Sequence, residues 1–360
     1  MTRVALAHEY FSQWGGAERV TEVLHEMWPA APVYTLFVDG RYRRLLRGWD
    51  VRTSWLQSLG LPRGWHRFLL PLLPRAVESI AVSPVDVLVS SSSAFIKGIK
   101  APAGARHVCY CHSPTRYLWD WSASYVREEV PRPLRGAVRS MLEPLRAWDR
   151  AAAARVDRFV ANSEAVRSRI RRYYDREAIV VHPPIDVGAY PSRPEREDFY
   201  LVVSRLVAYK NVDIAIGAFN QLGLRLKIVG EGRDRHRLER LAQDNIEFLG
   251  RQPDDLLREL LAVSRGLIFP AEDDFGIVCV ESLASGRPVI ALARGGAPEI
   301  VEDGRTGILF DSATPPALID AVGRAESTRF DANELRRSAK RFDTSLFQAR
   351  IRSIVNEVAT

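Results

Sequence analysis

With 360 residues, 46% of them hydrophobic and 26% charged, the chain has the composition of a soluble globular protein and length for two cores of roughly 150–200 residues each. It excludes a collagen-like or disordered chain, and no apolar run approaches the roughly 20 residues that cross a bilayer. A net charge of +7 favours anionic partners such as nucleotides, nucleic acid or acidic lipid heads, although an Arg-rich composition alone also produces it.

The first segment, MTRVALAHEYFSQWGG, reads as a strand over 4–7 and not as a secretory leader. Gly15-Gly16 then opens a helical pattern, GGAERVTEVLHEMW. Residues 54–80, SWLQSLGLPRGWHRFLLPLLPRAVESI, mix Trp, Leu, Phe, Arg and Pro with little acid. They suit a surface that dips into a lipid interface, with Arg47, Arg52, Arg63 and Arg67 for lipid phosphates, or equally an ordinary helix-and-loop part of the core. Further strands are expected at 86–90, 107–110 and 158–161 and in IVVHPP at 179–184, with a helix, SEAVRSRIRRYY, after the third and Ser163 as its N-cap. Cys109, Cys111 and Cys279 are too few for a disulfide framework and read as small apolar residues in a reducing, cytosolic setting.

A polar, Pro-containing stretch around 185–198 reads as a linker, and the alternation then restarts. Strands are expected at 200–204, 226–230, 246–250, 266–270 and 288–292, with helical patterns between them. Nearly all-apolar strands alternating with helices predict parallel sheets covered on both faces, one in each half. In such sheets ligands gather at the C-terminal strand ends. Those ends carry Gly15 and Gly16, Arg205 and Lys210, Gly230 and Glu231, the stretch AEDDFGIVCVE (271–281), and Arg294-Gly295-Gly296 with Glu299 beyond.

AEDDFGIVCVE holds its own chemistry. Gly276 starts a helix whose first N–H groups, at 276–278, suit a phosphate. Glu281 lies about one and a half turns in, within reach of an attached ribose, and Asp273 in the preceding loop can face the other end of the same ligand. An acidic helix start that merely complements the helix dipole fits the segment as well. Arg205 and Lys210 supply a two-pronged and a point cation for the negative charge that grows on a departing nucleoside diphosphate. No Asp-x-Asp follows a strand of the first half, so no metal is expected; Asp273-Asp274 is the only pair that tempts one.

Taken together, VSRLxxYKN (203–211), VGEG (229–232) and ARxGGxPEIVxDGxTGILF (293–310), with GGAERV, CYCHSPTRYLWD and ANSEAVRSRI in the first half, resemble the retaining GT-B glycosyltransferases of family 4. Their form is similar to the branch containing O-antigen and polysaccharide mannosyltransferases. The resemblance covers essentially the whole chain. It implies two Rossmann-like domains with parallel sheets facing across a cleft: an acceptor-side domain at 1–188, a linker at 189–198, a donor domain at 199–342, and a last helix at 343–360 crossing back to the first domain. It implies that Arg205 and Lys210 hold the donor diphosphate, that Gly230, Glu231, Phe275, Gly276, Ile277 and Val278 line the donor, and that Glu281 binds its ribose. Gly15 and Gly16 would lie under the diphosphate, and His112, otherwise readable as a buried structural histidine, would reach the sugar. The family usually has Glu where this chain has Asp273, which puts the sugar contact one methylene short.

The resulting expectation is a retaining, metal-independent transfer of a sugar, mannose from GDP-mannose, to a lipid-linked or polysaccharide acceptor. It needs no further cofactor and no nucleic acid, and it takes place in the cytoplasm or at the inner membrane face. A UDP-sugar donor and a nucleotide-sugar epimerase of the same plan are the alternatives. A dinucleotide oxidoreductase is set aside because SQWGGAER lacks G-x-G-x-x-G. A nucleic-acid binder is set aside because the basic residues do not cluster with aromatics.

Overall fold

The computed structural model describes residues 2–60, 69–128 and 130–359. The chain divides into two units, one running to Pro183 and regaining the chain from Phe347 onward, the other spanning Pro184–Leu346.

Among the described residues the first unit is built on seven strands: β1 (Val4–His8), β2 (Val33–Thr35), β3 (Val51–Thr53), β4 (Val87–Ser92), β5 (Arg106–Cys111), β6 (Arg158–Ala161) and β7 (Ala178–Val180). Their order is β3-β2-β1-β4-β5-β6-β7 and every pairing is parallel. Side chains alternate across a strand, so β1 sends Val4 and Leu6 into one apolar layer and Ala5 and Ala7 into the other. Such two-sided burial is why these strands read as continuous apolar runs. The closing helix, Thr344–Ala359, returns Phe347, Ile351, Ile354 and Val355 to the layer of Val4 and Leu6, where Phe347 meets the Tyr110 ring edge-on at 5.5 Å.

The second unit has six strands: β8 (Tyr200–Val203), β9 (Leu226–Val229), β10 (Ile246–Gly250), β11 (Leu267–Phe269), β12 (Val289–Leu292) and β13 (Gly307–Phe310). Their order is β10-β9-β8-β11-β12-β13, again all parallel. The sequence reading found ten of the strands and missed β2, β3 and β13. The first two are three-residue strands, too short for a period to register, and β3 is partly exposed. β13 ends the motif at 293–310, which carries the family resemblance and is not read as a strand. The stretch 185–198 is tied to the second unit. Ile185, Val187 and Tyr190 are buried in its core, and the buried Arg287 guanidinium donates to the carbonyls of Arg193 and Glu195 at 2.7 and 2.9 Å.

Of residues 54–80, those at 61–68, with Arg63 and Arg67, lie outside the described residues. Leu56, Leu70, Leu73, Ala76 and Val77 are core, while Trp55 and Leu59 are 41% and 49% exposed. Arg52 is engaged locally, with Asp50 at 2.8 Å and Ser83 at 2.6 Å. Among the described residues no helix is long and apolar enough to cross a membrane.

Candidate active site

In both sheets the strand order reverses once, between β1 and β4 and between β8 and β11. At such a switch point the two following loops leave in opposite directions and open a crevice beyond the strand ends. The second unit's crevice is flanked by the 204–211 loop after β8 and the 270–276 loop after β11. These are the two segments that carry the predicted cations and carboxylates.

Across it Lys210 Nζ is ion-paired with both oxygens of the Asp273 carboxylate, the two side chains being 11% and 22% exposed. Asn211, next to Lys210, donates to the Pro270 carbonyl at 3.1 Å and ties the two loops together. Arg205 is exposed, and its guanidinium donates to the Tyr209 hydroxyl and lies over that ring. Gly276, at φ +93°, caps the helix Ile277–Ala284. Ile277 and Val278 form the first turn, where backbone N–H groups lack intrahelical acceptors. A Cβ on Gly276 would come within 3.0 Å of the Phe269 ring, so the left-handed backbone, with this close contact, favours glycine. Phe275 turns inward and packs edge-on against Phe342 at 5.6 Å. Glu281 is 4% exposed, and its Oε1 accepts from the Tyr190 hydroxyl at 2.8 Å. Burial, with Asp273 and Glu281 beside it, pushes the Cys279 thiol well up, so it stays protonated.

Two glycine motifs hold these loops from behind. A Cβ on Gly295 would fall on the Asp273 carbonyl, and one on Gly296 on Phe275. The Gly296 amide donates to that same Asp273 carbonyl at 2.9 Å. Likewise a Cβ on Gly230 would fall on the Ser204 carbonyl, and the Leu206 amide donates to the Glu231 carbonyl at 2.9 Å. The Glu231 side chain turns to Arg235 at 2.5 Å. Gly230 and Glu231 thus support the Arg205 loop through the backbone.

In the first unit, Gly15 and Gly16 follow β1 and start the helix Gly16–Met27. The Gly15 amide donates to Glu18 Oε2 at 2.9 Å. His112 follows β5, half-buried, with Nε2 2.8 Å from Ser91 Oγ. Burial, with His8 beside it, lowers its pKa to about 3, so the ring is neutral. The loop beyond His112 is fixed by a buried ion pair. Asp149, with no exposure, pairs with Lys97 and accepts from Thr115 at 3.1 Å, Trp119 Nε1 at 2.8 Å and Tyr174 at 2.8 Å. Thr115 and Trp119 belong to CYCHSPTRYLWD, so this motif is in part an anchor. Sequence reasoning missed Tyr190, which it placed in a linker; Tyr209, quoted only as a motif letter; and the Lys97–Asp149 pair. Among the described residues no three His, Cys, Asp or Glu side chains gather as metal ligands.

Residues 14–188 match the family model described as Glycosyltransferase Family 4, and residues 190–342 match that of Glycosyl transferases group 1. Similar curated proteins include an uncharacterized glycosyltransferase of Methanocaldococcus jannaschii, 29% identical over 46% of this chain and 48% of its own length. A D-inositol 3-phosphate glycosyltransferase of Segniliparus rotundus is 29% identical over 48% of each chain. A GDP-mannose-dependent alpha-(1-6)-phosphatidylinositol monomannoside mannosyltransferase of Mycolicibacterium smegmatis is 31% identical over 45% of this chain and 50% of its own. The chain thus spans about half the length of the curated relatives it matches. The crystal structure of Anabaena HepE in complex with UDP and glucose superposes with a TM-score of 0.72 at 19% identity, covering 99% of this chain and 100% of that one. Two glycosyltransferase domain matches in tandem, on two all-parallel Rossmann-like sheets, mean that the chain belongs to the family 4 glycosyltransferases of the GT-B fold.

Proposed function

We propose that the chain is a retaining, metal-independent glycosyltransferase that moves mannose from GDP-mannose to a lipid-linked or polysaccharide acceptor. The observation that carries this reading is the second unit's switch point, where Arg205, Lys210, Asp273 and the helix start at Gly276 border one crevice. There Arg205, Lys210 and the N–H groups of 276–278 receive the diphosphate. Lys210 exchanges its carboxylate partner for phosphate, and Asp273 is released to the sugar hydroxyls. Glu281, held by Tyr190, takes the ribose. In the reaction the bond from the sugar's anomeric carbon to the phosphate oxygen breaks while the acceptor oxygen bonds that carbon from the same face. The acceptor's proton passes to the leaving phosphate. Preorganised cations stabilise the charge left behind and fill the part a metal plays elsewhere. GDP-mannose is favoured by the likeness to the Mycolicibacterium smegmatis mannosyltransferase and by the form of the motifs. Exposed Trp55 and Leu59 support peripheral contact with an anionic membrane where a lipid acceptor resides.

Calorimetry of the purified chain with GDP, UDP, ADP and NAD, without added metal, tests this. GDP should bind, more tightly as GDP-mannose, and the binding should vanish in Arg205→Ala. Preference for UDP discards mannose and keeps the transferase. Binding of none of the four overturns the reading.

A further inference from the structure

One aromatic side chain, Tyr209, touches both cations of the second unit's crevice. The backbone beneath them is fixed by main-chain hydrogen bonds. The Leu206 amide donates to the Glu231 carbonyl at 2.9 Å, the Asp234 amide donates to the Leu206 carbonyl at 3.1 Å, and the Val207 amide donates to the Arg205 carbonyl at 3.0 Å. None of these bonds orders the Arg205 side chain, which is exposed and carries several rotatable bonds. Among the described residues its guanidinium touches no carboxylate. It donates to the Tyr209 hydroxyl, with its central carbon 5.9 Å from the centre of that ring. Val207 is extended, and the turn Ala208–Lys210 that follows brings the Tyr209 side chain back to Arg205. Lys210 Nζ lies 5.3 Å from the centre of the same ring while it is paired with Asp273.

The two cations therefore differ in what orders them. Lys210 has a carboxylate, and Arg205 has a phenol. A carboxylate beside Arg205 would order it as well, but it would also neutralise the guanidinium, and an arriving phosphate would have to displace it. A hydroxyl oxygen gives the guanidinium an acceptor without cancelling its charge, and a ring within about 6 Å attracts a cation by its quadrupole. The full charge of an always-protonated arginine is thus kept in one place for an anion. Ordering a long side chain before the ligand arrives removes a cost that binding would otherwise bear. We infer that Tyr209 is a positioning residue that holds the guanidinium of Arg205 in place without a counter-charge and so raises the affinity of the second unit for a nucleoside diphosphate. This rests on the diphosphate role of Arg205 proposed above. It lies wholly within the second unit and is the same whichever base the nucleotide carries.

The test joins a measurement without ligand to one with it. Nitrogen relaxation of the Arg205 Nε–H group, assigned by its loss in Arg205→Lys, reads the order of the side chain. The expected result is an ordered group in the unaltered chain and a mobile one in Tyr209→Phe, which keeps the ring and removes the hydroxyl. Titrations then compare GDP with guanosine and UDP with uridine, by calorimetry or, for the weaker nucleosides, by chemical shift. The diphosphate that binds should lose about threefold to tenfold in affinity in Tyr209→Phe, the usual cost of ordering one long side chain on binding. Its parent nucleoside should lose nothing, whereas a turn that is merely loosened would weaken both. Tyr209→Leu, which also removes the ring beside Lys210, should lose more of the diphosphate affinity. A mobile Arg205 in the unaltered chain, or diphosphate affinity unchanged in Tyr209→Phe, overturns the inference and leaves the proposed function standing. If the unaltered chain binds neither diphosphate, the proposed function fails and takes this inference with it.

Discussion

Lys210 and Asp273 neutralise one another across the crevice, so removing either exposes the other. Lys210 can be lost without emptying a core: it sits in a short turn at a strand end, and its partner keeps some access to solvent. If its part is to stabilise departing phosphate, Lys210→Ala should lower kcat/KM by about 10²–10³, the usual effect of removing one preorganised donor. Circular dichroism and the thermal midpoint should stay where they are. An active Lys210→Ala enzyme would remove the diphosphate role. The candidate site was legible at this scale where chemistry needs a particular side chain: Arg205, Lys210, Asp273 and Glu281 stand out by type and spacing. Tyr190 was not, because a tyrosine in a polar, proline-flanked stretch carries no sign that its hydroxyl will reach a glutamate 91 positions away.

Among the elements, the loops are held by backbone against backbone, and the glycines at 230, 232, 295 and 296 are where the chain comes too close for a side chain. Gly295 adds a left-handed φ of +63°. Gly295→Ala should therefore cost about 2–4 kcal/mol, combining steric overlap with a strained backbone, and should weaken nucleotide binding by displacing Asp273. Denaturant unfolding and calorimetry on one sample would check both, and unchanged stability would refute the cradle. In the sequence Gly230 reads as donor-lining and Gly295-Gly296 as part of a strand-end site, because approach of a ligand and approach of another loop call for the same residue. The central strands were legible for the opposite reason: β4, β5, β8 and β12 are buried on both faces and cannot avoid a continuous apolar run. The order of the strands, and so the switch points, follows from pairing between segments far apart in the chain, which no local pattern encodes.

For the molecule as a whole, acid is the informative stress. His107 is 1% exposed, hydrogen-bonded to Ser90 at 2.8 Å, and lowered by burial to about 4. Its folded pKa lies below the ordinary 6.5, so between pH 6.5 and 4 the unfolded chain takes a proton that the folded chain refuses. Stability should then fall with acidification, by about 1.4 kcal/mol per pH unit from this residue, and His112 moves in the same direction. The thermal midpoint should decline from pH 6.5 to 5, above the range in which carboxylates titrate. A flat profile there would mean that His107 is charged in the fold.

The helix Thr344–Ala359 returns to the core that Val4 and Leu6 start. The first unit is therefore two separated pieces of chain with the whole second unit between them. On a ribosome, residues up to Pro183 emerge early yet cannot complete their apolar layer until Phe347, Ile351 and Ile354 have been made. The second unit is already entire by then. Residues made after the second unit thus finish the unit made before it, and a frameshift or proteolytic cut near position 346 would spare the sheet beside it in sequence and damage the one whose strands begin at Val4.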